Sequence, residues 1–317
     1  SSVAGECVLP RSAAYLGGAL YVTCLGIDAV VELDGRAADP ARAERGRFRV
    51  PAGPTGIAID PVGRRAIVWS QFDRVATIVS LDNDQARSTV LVSRKAGEGL
   101  GGELARGRVL YHQSGDARIS AEGLSCASCH PDGRDDAITW GTADGPRNTP
   151  MLGSRLEDSA PYSWNGNHAT LDIHLRDTLS RLRGTGLPDE ERQALLAYVR
   201  TLRAPAEHPQ VATEARRKLI EDGKALFHAS ETACASCHDP DRSFADGQAH
   251  DVTPQGSGGK KLDTPSLRFV ARTAPYFHDG RYPTLDAMLQ GSDHAMGKTV
   301  HLSRTERAAL VAYLETL

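Results

Sequence analysis

The pentapeptide CASCH stands at residues 126–130 and again at residues 234–238, and this repetition constrains the chain more than any other feature. Of the 6 cysteines, Cys126, Cys129, Cys234 and Cys237 fall in these two copies, leaving only Cys7 and Cys24 outside them. Cys-x-x-Cys-His is the attachment pattern of c-type haem: two thiols form thioethers with the vinyl groups, and the adjacent histidine reaches the iron from below. Each copy therefore predicts one covalently bound haem c, with His130 and His238 as proximal ligands. The spacing alone also allows one zinc site of four thiolates, or two redox dithiols. Neither of those gives the trailing histidines a task.

The copying runs well beyond the pentapeptide. Before each copy stands a helical pattern with the same punctuation, ARGRVLYH (105–112) and EDGKALFH (221–228). After each come a Thr-Pro turn, NTPMLGS or DTPSLRF, and then APYSWNG (160–166) or APYFHDG (274–280). Each half closes on an apolar helical stretch opened by polar and acidic residues, LPDEERQALLAYVRTL (187–202) and LSRTERAALVAYLETL (302–317). Two tandem helical domains follow, residues 96–205 and 206–317, joined by the linker-like RAPAEHPQVA (203–212).

Residues 1–95 read differently, as short alternating runs such as ALYVTCLG, AVVELD, GIAIDPVG, RAIVWS and VATIVSLD separated by Gly, Pro and Asp turns. They predict antiparallel sheet in up-and-down order, with a resemblance to one or two blades of a YVTN-type β-propeller. Two blades close no ring, since propellers use about four to eight. A second polypeptide completing the ring, or a longer parent protein of which this is the C-terminal piece, is the expectation; a small independent sheet is the other reading.

Composition narrows the partners. With 40% apolar residues and a net charge of −3, the chain has material for a core, and its Lys and Arg are scattered rather than clustered. No nucleic acid and no anionic membrane surface are expected as partners. No apolar run approaches the roughly 18 residues of a membrane span. The opening SSVAGECVLP lacks a basic-then-apolar secretory pattern, which leaves either no signal or one already removed.

CASCH twice, NTP, APYSWNG, TAPYFHDGR (273–281) and MGKT (296–299) together resemble the di-haem cytochrome c peroxidase and MauG superfamily over residues 96–317. The resemblance implies a mainly α fold of two cytochrome c-like domains behind the β region, two haems c and commonly a calcium ion. It also implies an enzyme of the 1.11.1 class, in which one haem transfers electrons and the other handles hydrogen peroxide. The reductant would be a small electron-donor protein or, in the MauG manner, an oxidisable protein or organic substrate.

Carried over residue by residue, the resemblance gives the His238 haem a second axial ligand. Met296 matches that position, Met288 competes, a ligand other than methionine is the third possibility, and either methionine could instead pack in the core. His278 falls near that haem without ligating it. On the His130 haem, Arg181 stands where a second methionine would, no histidine occurs between His130 and His168, and Gly184 replaces the distal glutamate. That leaves His174, aligned with Met288 and with a distal glutamine of the peroxidases, and then His168, as the candidate iron ligand or acid–base group, or as simply packed residues. Trp164 matches an electron relay between the haems, or else a large buried aromatic. Asn148 and the backbone carbonyls of Thr273 and Pro275 match the calcium ligands. Haem attachment of this kind takes place outside the bacterial cytoplasm, so a periplasmic or exported protein is expected. There Cys7 and Cys24 either pair or remain separate buried thiols.

Overall fold

The computed structural model describes residues 6–82, 87–90, 101–157, 159–205, 213–252, 261–292 and 294–317, with residues 87–90 described by backbone alone. The boundary expected at 95/96, the boundary at 205/206 on its C-terminal side and most of the linker 203–212 lie outside the described residues. Two compact units emerge, one of Ser1–Ser128 with Thr178–Tyr198, the other of Cys129–Asp177 with Val199–Leu317.

The first unit opens with two four-stranded antiparallel sheets in meander order. β1 (Pro10–Leu16), β2 (Ala19–Cys24), β3 (Ala29–Asp34) and β4 (Glu44–Arg49) form one; β5 (Pro54–Asp60), β6 (Arg65–Ser70), β7 (Val75–Ser80) and β8 (Arg87–Val90) form the other. Gly17 and Gly18, both at positive φ, make the two-residue turn between β1 and β2, a conformation that other residues enter at a cost. Alternation decides which face is buried: on β6, Ala66, Val68 and Ser70 point inward and Arg65, Ile67 and Trp69 outward. Ala19, Tyr21, Val30 and Phe48 of one sheet meet Val68 and Val79 of the other in a shared core. Cys7 and Cys24 form a disulfide across 17 residues of sequence, pinning the segment before β1 to the end of β2. In the chain-entropy estimate such a loop contributes about 3 kcal/mol.

α1 (Gly102–His112) belongs to the same unit and lies against the second sheet, where the Arg108 guanidinium sits 5.0 Å from the Phe72 ring centre. α2 (Cys126–Cys129) is a single turn, and the hairpin β9 (Thr139–Thr142) and β10 (Gly145–Asn148) follows it. Next come α3 (Leu171–Arg181), α4 (Asp189–Thr201) and α5 (Glu214–His228), the last capped by Thr213. The short pair β11 (Ala249–His250) and β12 (Leu262–Asp263) precedes α6 (Leu285–Gln290) and α7 (Arg304–Leu314). α7 starts at a capping box in which Ser303 and Glu306 satisfy each other's backbone N–H groups. α5 packs on α7 over a core of Phe227, Leu310, Tyr313 and Leu314. Helices and small antiparallel sheets both contribute to the fold, and among the described residues no sheet closes into a barrel or a propeller ring. No described helix is long and apolar enough to cross a membrane.

Candidate metal centres

The C-terminal CASCH follows directly from the end of α5. Buried Thr232 donates its hydroxyl to the carbonyls of Leu226 and Ala229, folding the chain back so that Cys234–Ser236 form one 3-10 turn. The turn carries His238 into a cavity of about 410 Å³ lined also by Cys234, Cys237, Met288 and Met296. The Nδ1 of His238 lies 3.0 Å from the Phe244 carbonyl oxygen. A carbonyl only accepts, so Nδ1 carries the proton and Nε2 keeps its lone pair for a metal. Burial pushes the His238 pKa down, favouring this neutral, ligand-competent ring.

Both candidate methionines face the same cavity as His238. Gly297, at positive φ, lets the MGKT loop run beside Cys234, and the Lys298 amide donates to the Thr232 carbonyl at 2.9 Å. His294, which sequence reasoning missed, ties the two together. Its Nε2 bonds the Met288 carbonyl at 3.0 Å while its Nδ1 accepts the Met296 amide at 3.2 Å, and one tautomer satisfies both. No signal short of the folded loop links residues 288, 294 and 296. His278 also lines the cavity, with the Phe277 ring tilted against it at 4.7 Å between centres.

The N-terminal copy repeats the proximal arrangement. His130 lies beside the backbone of Arg134 and Pro150, as His238 does beside that of Phe244 and Pro265, and the two prolines hold the same place in the NTP and DTP turns; among the described residues, the bond that fixes the His238 Nδ1 to a carbonyl has no counterpart at the His130 Nδ1. Although His130 is only half-buried by surface area, the protein packed about its ring pushes its pKa down to about 4. Burial lifts the Cys129 thiol to about 11 and raises Cys234 as well, so neither is an activated thiolate. The four CASCH cysteines are free thiols that do not gather into a four-thiolate cluster; the metal-type group among the described residues is Cys237, Asp246 and His250.

The structure brings His168 and His174 together, Nδ1 to Nδ1, at 3.1 Å. Their meeting comes from an isolated bridge between Tyr162 and His168 that turns the chain into α3, where His174 lies over the Tyr162 ring. In the other half, Tyr276 and Tyr282 form the same bridge before α6, which carries Met288. Arg181 is exposed at the end of α3 and bonds Thr178. Gly184 has a local cause: a side chain there would stand 2.4 Å from the Arg118 carbonyl and 2.6 Å from that of Ile119. No glutamate fits without moving that backbone.

Trp164, Asn148, Thr273 and Pro275 line the wall of the His238 cavity. Trp164 donates its indole N–H to the Asn148 carbonyl at 3.0 Å, and its own carbonyl accepts the Asp263 amide at 3.0 Å. Asn148 is 8% exposed; its amide group abuts the Pro275 carbonyl, while its Oδ1 is buried without a hydrogen-bond partner. Turning that amide over would set its oxygen beside the Pro275 carbonyl, two hard oxygens side by side. That donor set suits calcium.

Residues 216–315 match the family model described as di-haem cytochrome c peroxidase. The methylamine utilization protein MauG of Methylorubrum extorquens is 26% identical, over 68% of this chain and 78% of that protein. Cytochrome c peroxidase Ccp of Escherichia coli is 28% identical, over 68% and 58%. The hydrazine synthase subunit gamma of Kuenenia stuttgartiensis is 26% identical, over 65% and 75%. A solved structure of Kuenenia stuttgartiensis hydrazine synthase superposes with a TM-score of 0.57 at 25% identity, covering 71% of this chain and 90% of the matched one.

Proposed function

We propose that this chain is a di-haem c-type oxidoreductase of the peroxidase kind, with hydrogen peroxide as its electron acceptor. The observation that carries the reading is His238: in a cavity shared with the two CASCH thiols, its Nδ1 is committed to a carbonyl and its Nε2 is left for iron. Haem c held by Cys126, Cys129 and His130, and by Cys234, Cys237 and His238, would supply one-electron transfer at one centre and peroxide binding at the other. Met296 or Met288 would complete the coordination of the C-terminal centre, and a thioether there favours an electron-entry role.

Trp164 stands in the wall of that cavity with its N–H fixed by Asn148, a placement that supports its use as an electron relay toward the N-terminal centre. On that centre the repeat gives His174 the position that Met288 holds in the other half, where Met288 faces the cavity. His168 and His174 share one hydrogen bond between their Nδ1 atoms, so one ring donates and the other accepts. A proton taken up at one ring can thus be matched by its partner, which suits delivery of a proton to a departing oxygen. A calcium ion at Asn148, Thr273 and Pro275 would stiffen the wall that carries Trp164.

The repeated helix pairs support haem domains at 96–205 and 206–317, and the attachment chemistry supports a periplasmic or exported location. Reduction of peroxide by a small donor protein, or oxidation of a protein or organic substrate, would follow the matched relatives. The two stacked meander sheets support the propeller reading: the outer face of β6 leaves Ile67 at 45% and Trp69 at 41% exposure, suited to a further sheet from a second polypeptide.

A second reading, an electron-transfer subunit without peroxide chemistry, draws on the likeness to hydrazine synthase subunit gamma and on His174, whose Nε2 could close the iron. Low-temperature EPR of the oxidised protein, followed by optical spectra on adding one equivalent of peroxide, separates the two. A high-spin ferric signal beside a low-spin one, with a fast peroxide response that slows in His174→Ala, is the expected result. Two low-spin haems indifferent to peroxide, even after half-reduction, would establish the second reading.

A further inference from the structure

Most of the wall beside His238 is apolar, yet Arg155 stands in it. This residue comes from the other half of the sequence, just after the NTP turn, where the DTP half carries Val270 at the repeat-equivalent position. Its Nε donates to the Arg268 carbonyl. Among the described residues its terminal nitrogens make no hydrogen bond, and no carboxylate lies within ion-pair distance. Asp135 acts on it from further off, with its own Oδ2 buried and unbonded. Burial lowers the Arg155 pKa only to about 10, so the guanidinium keeps its charge at neutral pH.

A desolvated cation without an anion is unfavourable, and a guanidinium fork matches a carboxylate in two parallel hydrogen bonds. The other charges lining the cavity are Lys298, a single ammonium, and Asp251 and Asp263, which would repel an anion. Haem carries carboxylates of its own in its propionates. Resting on the di-haem reading above, we propose that Arg155 binds a propionate of the haem attached at Cys234 and Cys237, so that a side chain of the first half sets the electrostatics of the second haem. A positive charge beside the propionate disfavours the ferric state, and its loss lowers the potential of that haem alone.

The test is a spectroelectrochemical titration of the holoprotein that resolves the two haems, with resonance Raman in the propionate-bending region. In Arg155→Gln both haems should remain attached, the potential of the His238 haem should fall, that of the His130 haem should hold, and the propionate band should shift. Arg155→Lys should recover part of the potential but not the band position. Asp135→Asn leaves the guanidinium in place and should move neither. Unchanged potential and band in Arg155→Gln, a shift confined to the His130 haem, or the same shift in Asp135→Asn would each overturn the assignment. If Arg155→Gln does not fold, an unmoved band in Arg155→Lys is enough to overturn it. Wild-type protein without haem on Cys234 and Cys237 would sink the di-haem reading together with this one, whereas failure to react with peroxide bears only on the peroxidase reading.

Discussion

The helix pair α1 and α4 and the helix pair α5 and α7 are built the same way at the level of single atoms. A Cβ on Gly107 would stand 1.9 Å from the Ala194 carbonyl oxygen, and a Cβ on Gly223 would stand 1.9 Å from that of Ala309. Beside the first contact Tyr111 meets Tyr198 edge-on at 5.4 Å; beside the second Phe227 meets Tyr313 edge-on at 5.3 Å. The agreement reaches the proximal histidines, both of which lie beside the backbone of a Thr-Pro turn. It ends on the opposite side: α6 and the MGKT loop offer Met288 and Met296, while the corresponding stretch of the first half offers His174, Arg181 and Gly184. The two halves agree around the CASCH histidines and differ in what stands opposite them, and under the di-haem reading that difference would give one scaffold two different centres.

The largest effect should come from the shared part. Gly107→Ala and Gly223→Ala each force a helix away from a carbonyl, and each should cost about 3 kcal/mol in thermal unfolding followed by circular dichroism. A cost at one glycine and none at the other would show that the two crossings are not equivalent. Next in size, Met296→Ala should lower the potential of the His238 haem alone, because removing a thioether weakens the ferrous state. An unaltered titration in that variant, with a fall in Met288→Ala, would hand the ligand role to the helix instead of the loop. Smallest in the static spectra is Trp164→Phe, which should preserve both haem spectra while slowing transfer between the centres in stopped-flow mixing. Undiminished transfer would reduce Trp164 to packing.

The attachment motifs, the repeat, the β-rich start and the presence of a helix before each CASCH were legible in the sequence because each is a local pattern, although α1 and α5 begin earlier, at Gly102 and Glu214, than the runs 105–112 and 221–228. CASCH is five adjacent residues, the capping box of Ser303 and Glu306 spans four, and the alternation in β6 needs only its own strand. The Cys7–Cys24 pairing was open in the sequence, and the fold decided it by carrying both to the end of β2. The choice between Met296 and Met288 was equally open, and the fold brings both to one cavity and shows His294 holding them there.

What the sequence determined alone was therefore which atoms can attach and ligate a haem, since covalent spacing and side-chain chemistry are properties of neighbours along the chain. Tertiary structure decided the rest: that His168 and His174 share a hydrogen bond, that Gly184 excludes a glutamate by the approach of residues 118 and 119, and that Arg155 of the first half lines the cavity of the second. Those are contacts between residues far apart in order or turned by a fold, and burial, which gives each its electrostatic weight, exists only once the chain has closed around it.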